Sequence, residues 1–90
     1  MFFESYKPKV FREEFRRLKS ELVSRGFSQT ERDRIEAMFF PDLEETNPDD
    51  DGIDAAEIAR TIDWMRKNKL KHHLSDRKID ILESELKERL

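Results

Sequence analysis

Residues 42–57 of this 90-residue chain hold eight carboxylates in sixteen positions and no lysine or arginine. Like charges at this density repel, so a folded chain places such a run where water or a cation neutralises it. Helical patterning flanks the run on both sides, over residues 31–40 and again over residues 54–68. The run is therefore the loop of a helix–loop–helix and not a charged tail. Any fold for this chain must present it to solvent or to an ion.

Periodicity and capping signals predict four helices. Phe11, Phe15, Leu18 and Leu22 recur at intervals of four, three and four, one apolar stripe on a helix over residues 9–25. Pro8 suits its start, where an N–H is not needed. Gly26 supplies the left-handed stop, with Phe27 folding back on Leu22. Ser28-Gln29-Thr30-Glu31 is a capping box opening the second helix, whose apolar face is Ile35, Met38 and Phe39. Pro41 is expected to end it, because a proline pushes its predecessor out of helical geometry. Asp54-Ala55-Ala56-Glu57 is a second capping box, stapled by Ile53 and Ile58; Ile62 and Met65 continue that stripe and Trp64 lies off it. The fourth helix starts at Ser75, with Leu74 and Ile79 as staple and Leu82, Leu86 and Leu90 following.

Charged residues are 43% of the chain and hydrophobic ones 36%, a balance near that of disordered segments. Seven phenylalanines and one tryptophan, with Leu and Ile at helical spacing, argue instead for a folded domain with a charged exterior. Two glycines and no β-branched runs leave little room for sheet, so the expectation is an all-α, compact four-helix domain formed by the whole chain. Zero cysteines exclude disulfides, thiolate catalysis and thiolate zinc sites. No apolar run approaches the roughly 20 residues of a membrane span, and the first residues lack a basic, apolar leader. A cytoplasmic protein with no membrane partner is expected.

Asp49-Asp50-Asp51-Gly52-Ile53-Asp54-Ala55-Ala56-Glu57-Ile58 combines carboxylates, a turning glycine, an aliphatic residue and a closing glutamate in the order a hard cation needs. This segment resembles an EF-hand, the helix–loop–helix calcium module of the calmodulin superfamily, here spanning about residues 28–68. The resemblance implies that Ile53 is the aliphatic residue bridging paired loops and Glu57 the closing bidentate glutamate. Residues 27–40 are similar to a leading helix, and residues 10–25 to the exit helix of a preceding hand. The loop is divergent: the family's glycine precedes its closing glutamate by six, whereas Gly52 precedes Glu57 by five. Counted forward, Asn47, Asp49 and Asp51 take the alternating ligand places; counted back from Glu57, those places fall on Thr46, Pro48 and Asp50. A cage starting at Asp42 needs a four-residue insertion. The resemblance thus implies Ca²⁺ held by Asp42, Asn47, Asp49, Asp51 and Glu57 as candidates. Equally, Asp54 and Glu57 are explained as helix caps, and the aspartates as a solvated turn.

Other features point away from chemistry. Arg66, Lys67, Lys69, Lys71, His72, His73, Arg77 and Lys78 form a basic stretch, but a net charge of −3 and the acids that follow it oppose nucleic-acid binding. His72 and His73, as neighbours, are expected at the surface and not as a metal pair. There is no nucleophile–base pattern and no glycine-rich phosphate loop, so no enzyme is expected. The expectation is a small helical binding module with a protein partner, calcium-responsive through its acidic loop. A homodimer is allowed, and the alternative is a metal-free interaction or scaffold protein.

Overall fold

The computed structural model describes residues 9–43 and 52–90. Along the chain run β1 (Lys9–Val10), α1 (Arg12–Glu21), α2 (Gln29–Leu43), β2 (Ile53–Asp54), α3 (Ala55–Lys67), α4 (Lys69–His72) and α5 (Asp76–Glu88). Among the described residues the fold is all-α but for β1 and β2, which pair antiparallel with Lys9 opposite Asp54 and Val10 opposite Ile53. Each long helix turns one stripe inward: Phe15, Leu18 and Leu22 from α1 and its continuation; Ile35, Phe39 and Leu43 from α2; Ile58, Ile62 and Met65 from α3; and Ile79, Leu82 and Leu86 from α5. These residues join Val10, Phe27, Ile53 and Leu74 in one buried cluster. The most extensive helix–helix contact is that of α3 with α5.

Local chemistry sets most helix boundaries. At the start of α2, the Ser28 Oγ accepts from the Glu31 N–H at 3.1 Å and the Glu31 Oε1 accepts from the Ser28 N–H at 2.8 Å. At α5, the Ser75 Oγ accepts from the Lys78 N–H at 3.3 Å, and the staple residues Leu74 and Ile79 are both buried. After α1 the chain winds through tight i→i+3 turns to Gly26, whose φ is +91°. There the Gly26 N–H reaches the Val23 carbonyl at 3.2 Å and the Phe27 N–H reaches the Leu22 carbonyl at 3.1 Å, the paired bonds of a Schellman stop.

Four expectations need correction. Residues 9–10 are extended, because they pair with Ile53–Asp54; α1 starts at Arg12, and Phe11, at its N-cap, is 41% exposed and not part of the buried stripe. Pro41 does not end α2, which runs on to Leu43. An interior proline costs about 3 kcal/mol, but near a helix end few later bonds are at stake, and burying a leucine side chain returns about 1.5–3 kcal/mol. Leu43 is 3% exposed and extends the Ile35–Phe39 line by one more interval of four. A short helix, α4, makes five helices among the described residues where four were expected. Finally, His72 is buried rather than superficial.

Ion pairs stitch the helices at their rims. Lys19 reaches Asp33 at 3.0 Å and also Glu36, joining α1 to α2. Arg66 binds Asp80 at 2.6 Å and Glu83 at 3.0 Å, joining α3 to α5. Beyond the last turn of α5, Arg89 meets Glu21 at 2.6 Å, while Arg25 meets Glu85 at 2.6 Å. Lys78 grips Glu31 at 2.8 Å with its Nζ 5.5 Å from the Phe27 ring centre. Exposed pairs of this kind are worth about 0–1 kcal/mol each, so packing carries the fold.

The pairs do give the fold an acid limit. Lys78, and then the Ser28 N–H, hold the Glu31 carboxyl below its ordinary value of 4.5; Arg66, and then Lys87, do the same for Glu83. Folding lowers both values, so the stability they contribute is complete above the unfolded value and is lost as pH falls through the folded one. Denaturation midpoints are expected to hold level from pH 7 to about 5 and to drop below that. Glu31→Gln, which keeps the cap but not the charge, is expected to flatten part of the drop. A pH series of urea melts on both proteins checks this.

Candidate functional site

The candidate site lies where the acidic run joins α3. Gly52 is buried with φ +92°, a left-handed conformation. A Cβ there would lie 2.9 and 3.0 Å from two Phe11 ring carbons and 3.2 Å from the Lys9 Cβ. The glycine thus allows β1 and the Phe11 ring to close over the loop's exit. Ile53 follows, fully buried in its pairing with Val10. Asp54 and Glu57 then close a reciprocal cap: the Asp54 Oδ1 accepts from the Glu57 N–H at 2.8 Å, and the Glu57 Oε1 accepts from the Asp54 N–H at 2.9 Å.

Of the five candidate ligands, Glu57 stands half-buried at the first turn of α3. The backbone of Asp42 belongs to the last turn of α2. Asn47, Asp49 and Asp51 lie outside the described residues. Among the described residues no three His, Asp or Glu side chains cluster closely enough to hold a metal. Carboxylate oxygens are the donors a hard cation takes, and Glu57, at the start of α3, is the one candidate whose side chain lies among the described residues.

Four members of the basic stretch meet carboxylates of the chain itself. Arg66 is taken by Asp80 and Glu83, Lys67 by Asp63 at 3.0 Å, Lys69 by Asp76 at 3.0 Å and Lys78 by Glu31. His72 turns inward: its Nε2 lies 2.7 Å from the Met65 carbonyl and its Nδ1 3.0 Å from the Leu74 N–H. Since the amide can only donate, Nδ1 accepts and Nε2 carries the proton to Met65. This residue was missed because side-by-side histidines on a basic stretch read as surface. The available signal was its place two residues before the staple leucine, Leu74.

A cleft of about 320 Å³ opens between α2 and α3, lined by Met38, Arg60, Thr61 and Trp64. Trp64 is 41% exposed, and its ring centre lies 6.1 Å from that of His72. No described helix is long and apolar enough to cross a membrane. Comparison with protein-family models, curated proteins and solved structures found no match for this chain.

Proposed function

We propose that this chain is a non-catalytic helical binding module of EF-hand-like build, acting on a protein partner, with its acidic loop as a calcium-responsive element. In this reading α2 and α3 are the leading and exit helices, and α1 is the exit helix of a half-hand whose loop side is β1. The observation that carries it is the antiparallel pairing of Val10 with Ile53, directly after a left-handed glycine and directly before a capped helix. An EF-hand's loop aliphatic residue pairs with a second strand in this way. Asp49, Asp51 and Glu57, with Asn47 or Asp42, are the residues that would hold Ca²⁺. Bound there, the ion would supply the positive charge that relieves repulsion among the loop carboxylates.

One observation favours the rival reading, a metal-free interaction protein. The Asp54–Glu57 cap is complete without an ion, so α3 has a stable start of its own. Melting temperature separates the two. With Ca²⁺ at a hundredfold excess over its Kd, linkage adds about 2.7 kcal/mol, which raises the Tm of a domain this size by roughly 10–20 °C over chelator. Asp49→Asn with Asp51→Asn is expected to abolish the rise. An identical Tm at millimolar Ca²⁺ and in chelator would leave the metal-free module.

A further inference from the structure

We propose that the chain's own residues 2–6 dock in the cleft between α2 and α3, setting the rings of Phe2, Phe3 and Tyr6 over Met38, Thr61 and Trp64. The contact is internal to the chain and does not rest on the calcium reading. At about 320 Å³ the cleft stands at the lower limit of the roughly 300–1,000 Å³ of ligand pockets, which suits rings entering it singly.

Register and reach select the occupant. β1 faces β2 with Lys9 opposite Asp54 and Val10 opposite Ile53. In that antiparallel register, a chain continued back from Lys9 heads past Ala55, in the direction in which α3 leaves β2. Glu57, Thr61 and Trp64 recur on α3 at intervals of four and three, one row from its first turn to the cleft. Thr61 and Trp64 stand seven and ten residues beyond Asp54, roughly 10 and 15 Å at about 1.5 Å per residue. Extended chain covers about 3.3 Å per residue, so Tyr6 reaches roughly 10 Å from Lys9 and Phe3 roughly 20 Å.

Side-chain chemistry agrees. Trp64 is 41% exposed, and Met38 packs against the core from a partly buried position, so both offer apolar surface to an arriving ring. Aromatic rings pair favourably with an indole and with a thioether. Residues 44–51, which also adjoin α2 and α3, hold no aromatic, Leu, Ile, Val or Met and have no such anchor to offer. Attachment at Lys9 keeps the aromatic segment at an effective concentration of about millimolar, so weak ring contacts suffice; a separate partner must first overcome its full loss of freedom.

The chain's methionines are Met1, Met38 and Met65, so methyl-labelled methionine in the full chain gives one reporter in the cleft and, in the buried Met65, one control in the core. Spectra are taken in chelator, so the outcome is independent of the calcium melt. The Met38 methyl is expected to show nuclear Overhauser contacts with the rings of Phe2, Phe3 or Tyr6. Phe2→Ser with Phe3→Ser is expected to move the Met38 methyl resonance and leave that of Met65 in place. Acrylamide quenching of Trp64, the single tryptophan, should rise about twofold, with the helical circular dichroism unchanged. A Met38 methyl and a Trp64 quenching constant both indifferent to the double substitution overturn the proposal. So do ring contacts that disappear on dilution, which would assign the cleft to the segment of a second copy, and contacts of the rings with another face while Met38 stays silent.

Discussion

Replacing His72 with leucine is expected to destabilise the fold by about 2–3 kcal/mol, lowering Tm by roughly 10–20 °C in a domain of this size. The ring is 2% exposed and holds two backbone groups at once, the Leu74 N–H and the Met65 carbonyl. Leucine fills much of the same volume but bonds to neither. The Leu74 amide would lose its partner, at a cost of about 1–3 kcal/mol for a buried donor. The Met65 carbonyl would fare better, since it also accepts from the Asn68 N–H at 3.3 Å. The position matters because His72 ties the end of α3 to the residue that staples α5. His73 provides the control. It is exposed, with φ +58°, and His73→Asn keeps a residue tolerant of that conformation, so its effect should stay within about 0.5 kcal/mol. Thermal and urea unfolding of the two variants checks the contrast.

Gly52→Ala is expected to cost about 2–3 kcal/mol, whereas Gly26→Ala should cost only about 1 kcal/mol. Both glycines are left-handed, at φ +92° and +91°, and an added Cβ carries a penalty of about 1–2 kcal/mol in that region. Around Gly26 nothing lies within 4 Å of an added Cβ, so the backbone penalty is the whole effect. Around Gly52 the Cβ would meet the Phe11 ring at 2.9 Å and the Lys9 Cβ at 3.2 Å. The ring can turn aside, but the Lys9 Cβ is anchored in β1. Relief there requires β1 to move off β2. The variant should therefore also weaken the nuclear Overhauser contact between Val10 and Ile53, which Gly26→Ala should leave alone.

These contrasts explain which features the sequence discloses. The two capping boxes, the Gly26 stop and, apart from the exposed Phe11 and Leu90, the four helical stripes were legible because each depends on residues within about one or two turns of one another. The pairing of β1 with β2 was not: two-residue strands carry no alternation to read, and the partners are distant in the chain. Ile53 was singled out as a bridging residue by resemblance, but its partner Val10 was read as part of a helix. Pro41 misled because the local rule for proline competed with the burial of Leu43, and burial prevailed. His72 misled because adjacent histidines in a basic stretch carry no sign of the two backbone groups that one of them meets inside the fold. Within the candidate site, the capping role of Glu57 follows from four consecutive residues. A ligand role for it depends on oxygen atoms brought from elsewhere in the chain, which spacing alone does not specify.

Whether calcium acts at the junction of the acidic loop with β2 decides most directly between the calcium-responsive module and the metal-free one. A backbone amide nuclear magnetic resonance titration with Ca²⁺, set against Mg²⁺, reads that junction residue by residue. Saturable shifts at Gly52, Ile53, Glu57 and, across the pairing, Val10 are predicted with Ca²⁺ and not with Mg²⁺. Amide positions unchanged up to about 10 mM Ca²⁺, beyond the weakest range of such loops, would contradict it.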